Sequence, residues 1–284
     1  MLLPFSKMHG LGNDFMLLDL VTQHFEPVPE QIRAWSDRHT GVGFDSLLVI
    51  EPPTDPHADF RYRIFNADGT EVEQCGNGAR CAALFVAARA LSPKRSLILQ
   101  TMRGRVCTTR LNDDQVEVDM GAPELAPQSL PFDDTVPGVS AIADRPGEWQ
   151  IQTNAGTVEV FLVSMGNPHA VLFVDNAAHA AVDAVGNALM QHAAFPAGVN
   201  VGFCQVVDDA FLRLRVFERG IGETQACGSG ACAAAVAARL SGRGGPRLKI
   251  SLPGGKVRVT WQGPDSPVKL VGPATLVFEG QIEA

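Results

Sequence analysis

One stretch occurs twice in this chain without a gap, and it limits the fold more than any other feature. Residues 65–83 read FNADGTEVEQCGNGARCAA, and residues 217–235 read FERGIGETQACGSGACAAA. Adding 152 to each number carries Arg61, Arg63, Phe65, Glu71, Cys75, Gly76, Gly78, Ala79, Ala82 and Ala83 onto Arg213, Arg215, Phe217, Glu223, Cys227, Gly228, Gly230, Ala231, Ala234 and Ala235. A repeat far longer than a solenoid period predicts two related units, each bringing one Cys-Gly-x-Gly turn.

Upstream of each cysteine, residues 61–65 and 213–217 alternate partly between charged and apolar, which predicts short strands. Downstream, Ala-rich runs over roughly residues 78–90 and 230–240 predict helices. Cys75 and Cys227 then stand at or just before a helix N-terminus, where unsatisfied amides and the positive end of the macrodipole favour an anion. The expectation is a thiol pKa lowered from about 8.5, with some thiolate near neutrality. Gly-Asn-Gly and Gly-Ser-Gly also let backbone amides approach a carboxylate or phosphate closely. Both helices are nearly uncharged: residues 76–90 carry only Arg80 and Arg89, and residues 228–240 only Arg239. Helices apolar nearly all round are buried on most sides. Each unit is therefore expected to be a central helix wrapped by strands, with its cysteine at the open N-terminal end.

The 284 residues allow two ordinary domains, and 45% hydrophobic against 19% charged content allows real cores. A formal net charge of −8 argues against nucleic acid or an anionic membrane as partner. The opening MLLPFSKMHGLGND lacks the charged and apolar regions of a leader, and no apolar run approaches membrane-spanning length. Six cysteines in a chain of this size are expected to be reduced thiols in a cytoplasmic protein.

Along the chain, residues 1–20 read as strand, glycine turn and strand, residues 31–38 as a short helix, and residues 47–50 as a strand. Strands are expected at 97–100, 105–111 and 116–120. Prolines 123, 127, 131, 137 and 146 punctuate an acidic stretch without sustained period, a crossover between units. The second half echoes the first: strand 158–163, a Gly-Asn turn at 166–167 answering Gly12-Asn13, strand 170–174, helix 179–192, and strands 248–252 and 256–261. A final strand, 275–278, is expected to cross back to the first unit. The expected domains are thus 1–121 with 273–284, and 122–272, with the active site in the cleft between them.

Cys81, Cys107, Cys204 and Cys232 lie within helices or apolar strands and read as small buried hydrophobes. Cys75 and Cys227 do not, because a core cysteine has no reason to sit between strand end and glycine turn in both copies. Spacings of C-x5-C and C-x4-C do not match a zinc knuckle. Walker A and complete dinucleotide signatures are absent, and none of Lys7, Lys94, Lys249, Lys256 or Lys269 lies inside a glycine motif, as a pyridoxal lysine would. A thiol redox pair or sensor stays open on the residues alone, though neither cysteine is in a C-x-x-C arrangement. Symmetric proton chemistry fits best: two cysteines on opposite sides of a carbon, one thiolate base and one thiol acid, exchanging roles with direction.

The segments HGLGNDF (9–15), FNADGTEVEQCGNGARC (65–81), SMGNPH (164–169), GVNVGF (198–203) and ERGIGETQACGSGAC (218–232) resemble diaminopimelate epimerase, from residue 5 to residue 280 and in the same order. The resemblance implies a mixed α/β fold of two pseudo-symmetric domains, each a strand-rich barrel around a central helix. It implies an epimerase without pyridoxal phosphate, metal or other cofactor, interconverting LL- and meso-diaminopimelate, generally as a cytoplasmic homodimer. Carried over by motif, Cys75 is the proton donor and Cys227 the acceptor in the LL-to-meso direction. Gly76, Asn77, Gly228 and Ser229 bind the reacting-centre carboxylate. Asn13, Asn66, Asn167, Asn200, Glu218 and Arg219 bind the substrate, chiefly its distal amino-acid end, while His169 and Glu218 tune the cysteines. Glu218-Arg219 argues against a proline or glutamate racemase, whose small substrate has no distal end to bind. Two positions depart from the pattern: Ser46 stands where a substrate-contacting glutamine is usual, and Phe278 where a tyrosine at the dimer contact often occurs.

Overall fold

Both copies of the repeat fold alike, as a strand, a short return strand and a buried helix. The computed structural model describes residues 1–73 and 75–283. The chain divides into two compact units, Met1–Asp119 with Val271–Ala284, and Met120–Leu270.

In the first unit, β1 (Leu2–Gly10) turns into β2 (Asn13–Asp19) through Leu11 and Gly12 alone. Both turn residues have positive φ, 59° and 87°, the mirror-image turn whose twist suits a hairpin. Gly12 adopts it freely and Leu11 at some cost. The result is that Asn13 opens β2. Helix α1 (Pro29–Ser36) starts two residues earlier than the sequence reading, because Pro29 fits the first turn, where no N–H is needed. It leads to β3 (Ser46–Glu51), parallel to β2. β4 (Phe60–Asn66) and β5 (Glu71–Val72) form a hairpin before α2 (Gly76–Ala88). β6 (Ser96–Thr101) returns parallel to β4, and β7 (Gly104–Arg110) and β8 (Gln115–Asp119) follow antiparallel.

The second unit begins with β9 (Val139–Ala141), β10 (Glu148–Thr153) and β11 (Gly156–Ser164), all antiparallel. From there it repeats the first. β12 (Pro168–Phe173) pairs with β11, α3 (Val182–Met190) crosses to β13 (Asn200–Asp208), and β13 is parallel to β12. β14 (Phe211–Glu218) and β15 (Gly222–Thr224) precede α4 (Gly228–Leu240), and β16 (Arg247–Leu252) returns parallel to β14. β17 (Gly255–Thr260) and β18 (Lys269–Pro273) follow, and β19 (Thr275–Glu283) pairs antiparallel with β1.

The fold is mixed α/β and strand-rich. Helix α2 packs against β1, β2, β3, β7, β8 and β19, and α4 against β11 to β14 and β17. Their small apolar residues, Ala79, Cys81 and Ala82 in one and Ala231 to Ala234 in the other, are fully buried. Small side chains let sheets approach a helix from several directions, which explains why both helices are Ala-rich. Two sequence expectations need correction. Cys107, expected to be buried, is exposed, because on β7 Val106 and Thr108 take the inward positions and Cys107 the outward one between them. The Pro-rich crossover, expected to lack regular structure through residue 148, contains β9, and β10 starts at its end. In β10 only Glu148 and Ile151 are buried, so the alternation that marks a strand is missing.

The duplicated Arg–Glu pairs hold each hairpin shut. Arg63 grips Glu71 through Nε and Nη2, both at 3.0 Å, and Arg215 grips Glu223 at 2.6 and 2.7 Å. β5 and β15 are too short to be secured by their ladders, so the bidentate pair supplies the missing hold. Arg215→Ala is expected to lower stability by about 2 kcal/mol, read as a reduced urea midpoint, with Arg215→Lys recovering only part because lysine cannot fork.

A second charged cluster anchors the start of β2. Burial alone would raise the Asp14 carboxyl, but Arg38 and Lys7 bound to it outweigh that and pull it from 3.8 to about 2. A folded pKa below the unfolded one stabilises the protein above pH 4, and that stability is lost as pH falls from about 4 to about 2. Asp14→Asn should flatten this acid limb by about 2 kcal/mol in pH-dependent denaturation.

Candidate active site

Each unit gathers its polar site residues at one end of its strands, around the helix N-terminus. In the first, Asn13 opens β2, Ser46 opens β3, Asn66 closes β4, and Cys75, Gly76 and Asn77 begin α2. Ser46 and Asn66 face each other in the β3–β4 ladder. In the second, Asn167 precedes β12, Asn200 opens β13, Glu218 closes β14, and Cys227, Gly228 and Ser229 begin α4. The equivalences go beyond the repeated motif. Asn13 answers Asn167, Ser46 answers Asn200, Asn66 answers Glu218, and Asn77 answers Ser229.

Both cysteines are helix N-caps. Cys75 Sγ accepts from the Gly78 N–H and Cys227 Sγ from the Gly230 N–H, each at 3.4 Å. The rest of their surroundings differs. Cys75 is half-buried and lies 3.8 Å from Asn13 Oδ1. Cys227 is buried, 3.6 Å from Ser229 Oγ. Asn13 Oδ1 also accepts from Asn77 Nδ2 at 3.2 Å, and its Nδ2 donates to Asp45 at 2.9 Å.

The expectation of a lowered thiol pKa fails for Cys227. Burial pushes the thiol well up and the neighbouring Glu218 carboxylate adds to that, against weaker help from Ser229 and the Gly230 amide. One helix N-terminus does not outweigh full desolvation plus a like charge. Glu218 is itself raised by burial, in spite of the Thr224 hydroxyl that donates to it at 2.5 Å. Cys227 and Glu218 thus form a coupled pair that disfavours two negative charges.

His169 does not reach the cysteine directly. It is buried and held down to about 3 by desolvation and by Arg219, so it is neutral at physiological pH. Its Nε2 meets Asn167 Oδ1 at 3.1 Å, and Asn167 Nδ2 meets Ser229 Oγ at 3.3 Å. Asn200 is buried with its amide committed within the unit, accepting from the Arg219 N–H at 2.9 Å and donating to the Pro168 carbonyl at 3.1 Å. It fixes where Arg219 starts. Arg219 itself donates to the Ala197 carbonyl at 2.9 Å.

Sequence reasoning passed over three groups here. Tyr62, fully buried on β4, donates to the Cys75 carbonyl at 3.4 Å. Asp45 binds Asn13, and Thr224 binds Glu218. Asp45 had a visible signal, being the one acid in the glycine turn before β3; Tyr62 and Thr224 had none.

A family model described as diaminopimelate epimerase matches residues 5–126 and 161–277. A protein of Pseudomonas syringae pv. tomato named diaminopimelate epimerase is 52% identical over 282 residues, covering 99% of each chain. One of that name from Azotobacter vinelandii is 53% identical over 282 residues, again covering 99% of each. Among solved structures, a hydroxyproline epimerase from Agrobacterium vitis with bound trans-4-hydroxy-L-proline has a TM-score of 0.71 at 17% identity, covering 99% of this chain and 92% of that one. A predicted epimerase from Pseudomonas aeruginosa has a TM-score of 0.66 at 18% identity, covering 99% of each. The two solved structures share the fold.

Proposed function

The chain belongs to the diaminopimelate epimerase family, and on that premise we propose how it interconverts LL- and meso-2,6-diaminopimelate. Cys75 and Cys227 act on one α-carbon from opposite faces, the first donating a proton and the second removing one in the LL-to-meso direction. The observation that carries this reading is the duplication itself. Both units hold a cysteine as N-cap of a buried helix, with the same amide donor at 3.4 Å. A reaction whose two ends are mirror images at the reacting centre is served by such a pair.

The helix N-termini at Gly76-Asn77 and Gly228-Ser229 offer amides to the reacting-centre carboxylate and to the charge that develops on it. Asn66, Asn167, Glu218 and Arg219, with Asn13 and Ser46, supply acceptors for the distal ammonium and donors for the distal carboxylate. Asn200 contributes through its hold on Arg219. A site built to pair a distal zwitterion rejects an amino acid that lacks one. The reaction uses no cofactor, serves lysine and peptidoglycan precursor synthesis, and takes place in the cytoplasm. Among the described residues no helix is long and apolar enough to cross a membrane.

The enzyme works as a homodimer. Leu276, Val277 and Phe278 on β19 are 41%, 54% and 47% exposed, an apolar stripe that a second copy would cover. Phe278 makes its contact through the ring, edge-on to Phe5 at 6.0 Å, without the hydroxyl of the usual tyrosine.

A substrate panel in the presence of chelator and reductant, with no added pyridoxal phosphate, tests the assignment. LL-diaminopimelate should yield the meso isomer while proline and glutamate are left unchanged. Turnover of proline or glutamate without turnover of diaminopimelate would contradict it.

A further inference from the structure

Glu218 brings a carboxyl group to the polar end of its unit, and burial raises it. Among the described residues no basic side chain pairs with it. Arg219, next in the chain, donates to the Ala197 carbonyl, and His169 is neutral. Two side chains do reach it. Thr224 Oγ1 donates to Oε1 at 2.5 Å, and the Cys227 thiol donates as well. A thiol is a weak donor, so the Thr224 hydroxyl carries the main hold on the carboxylate.

Strand register puts the hydroxyl there. Thr224 on β15 stands opposite Val216 on β14, and Glu218 lies two residues further along β14, on the same face. Diagonal neighbours on one face of an antiparallel pair are within reach of a long side chain. The first unit has the same frame with other residues: Val72 stands opposite Ile64, and Asn66 lies two residues on. Adding 152 carries Asn66 onto Glu218 and Val72 onto Thr224. The two positions differ together. Asn66 is an exposed amide with donors of its own, one of which meets Thr70 Oγ1 at 3.3 Å, and valine beside it offers nothing polar. Where the second copy has a carboxylate, it has a hydroxyl in place of the valine. A carboxylate only accepts, so taking one out of water calls for a donor.

We propose that Thr224 is a positioning residue for Glu218: its hydroxyl fixes the carboxylate at the end of β14 and keeps it an anion able to take an ammonium group. A hydrogen bond to the charged form favours that form. An ionised carboxylate has lone pairs for more than two donors, so Thr224 and Cys227 leave room for the cationic nitrogen of a substrate. A protonated carboxyl would lose the charge attraction and turn a donor of its own toward a group that only donates. The titratable group facing Glu218 is Cys227 at the start of α4, itself pushed well up and neutral as a thiol. The bearing of Thr224 on the reaction rests on the diaminopimelate reading, whereas its hold on the carboxylate does not.

Infrared titration of the unliganded protein reads the protonated carboxyl band of Glu218, isolated by subtracting the spectrum of Glu218→Gln. Thr224→Val keeps the β-branched shape that suits a strand and removes the hydroxyl. It should move the midpoint of that band up by about one pH unit, and Thr224→Ser should hold the native midpoint. The acid limb of kcat/KM for LL-diaminopimelate, which reports the free enzyme, should move with it. An unchanged midpoint in folded Thr224→Val overturns the proposal. A midpoint that moves without the acid limb supports the hold of Thr224 on Glu218 and removes Glu218 from the substrate reading instead. Should Thr224→Val fail to fold, magnetic resonance of the native protein decides. The Thr224 hydroxyl proton should exchange slowly and change its resonance as Glu218 titrates, and a freely exchanging proton at a constant position overturns the proposal.

Discussion

Cys75→Ala and Cys227→Ala should each lower kcat/KM for epimerisation by about 10²- to 10⁴-fold, the range general acid or base groups supply. The double variant should lose little more, because two groups that act in one proton transfer do not contribute additively. A separate signature distinguishes loss of chemistry from loss of fold. Each single variant keeps one thiol, which can still remove and return a proton on its own face. It should exchange the α-hydrogen of one isomer with solvent and leave configuration unchanged, and the two variants should choose opposite isomers. Full epimerisation by either variant would remove the two-cysteine reading. Circular dichroism should be unchanged for Cys75→Ala, since that side chain is half-buried. Cys227 is buried, so its alanine variant should lose about 1 kcal/mol.

The second large effect is steric and separates the two copies. A Cβ at Gly78 would lie 2.2 Å from Tyr62 Oη, and at Gly230 its nearest neighbour is Val216 Cγ2 at 3.0 Å. Tyr62 is fully buried between α2 and its own strand, so it cannot swing away. Gly78→Ala should cost about 3 kcal/mol through overpacking and displace the turn that carries Cys75. Tyr62→Phe in the same chain removes the clashing oxygen and should restore much of the loss. Gly230→Ala asks for a shift of only tenths of an ångström, and the helix gains about 1 kcal/mol from alanine over glycine. Its stability should change little while its activity falls, because Cys227 Sγ sits 3.2 Å from the new methyl. Equal losses in the two variants, by thermal denaturation, would contradict this account.

These glycines show what was legible in the sequence. The repeat, the Cys-Gly turns and the uncharged helices are local patterns, and from them the strand, N-cap and buried helix around each cysteine could be read. The repeat extends to the parallel β2–β3 and β12–β13 pairs, which occupy equivalent places in the two units, and the expected return of the last strand to the first unit is made by β19 on β1. Four facts were out of reach because they depend on neighbours distant in sequence. Tyr62 lies against Gly78, Asp45 binds Asn13 from the turn before β3, and His169 is linked to Ser229 through Asn167. The thiol pKa of Cys227 was misjudged for the same reason: a helix terminus is visible in sequence, whereas full burial beside Glu218 is not. β9 and β10 escaped because strands with few buried residues leave no alternation to read.

The most direct test is the fate of the α-hydrogen when LL-diaminopimelate is turned over in D2O and stopped at low conversion. Two cysteines on opposite faces predict meso product carrying one solvent deuterium at the inverted carbon, while unreacted LL isomer carries almost none. With both thiols present, the acid delivers a solvent proton on one face before the hydrogen held by the base on the other can exchange with solvent and return. Product that keeps the original α-hydrogen, or substrate that gains deuterium as fast as product forms, would mean a single base serving both faces.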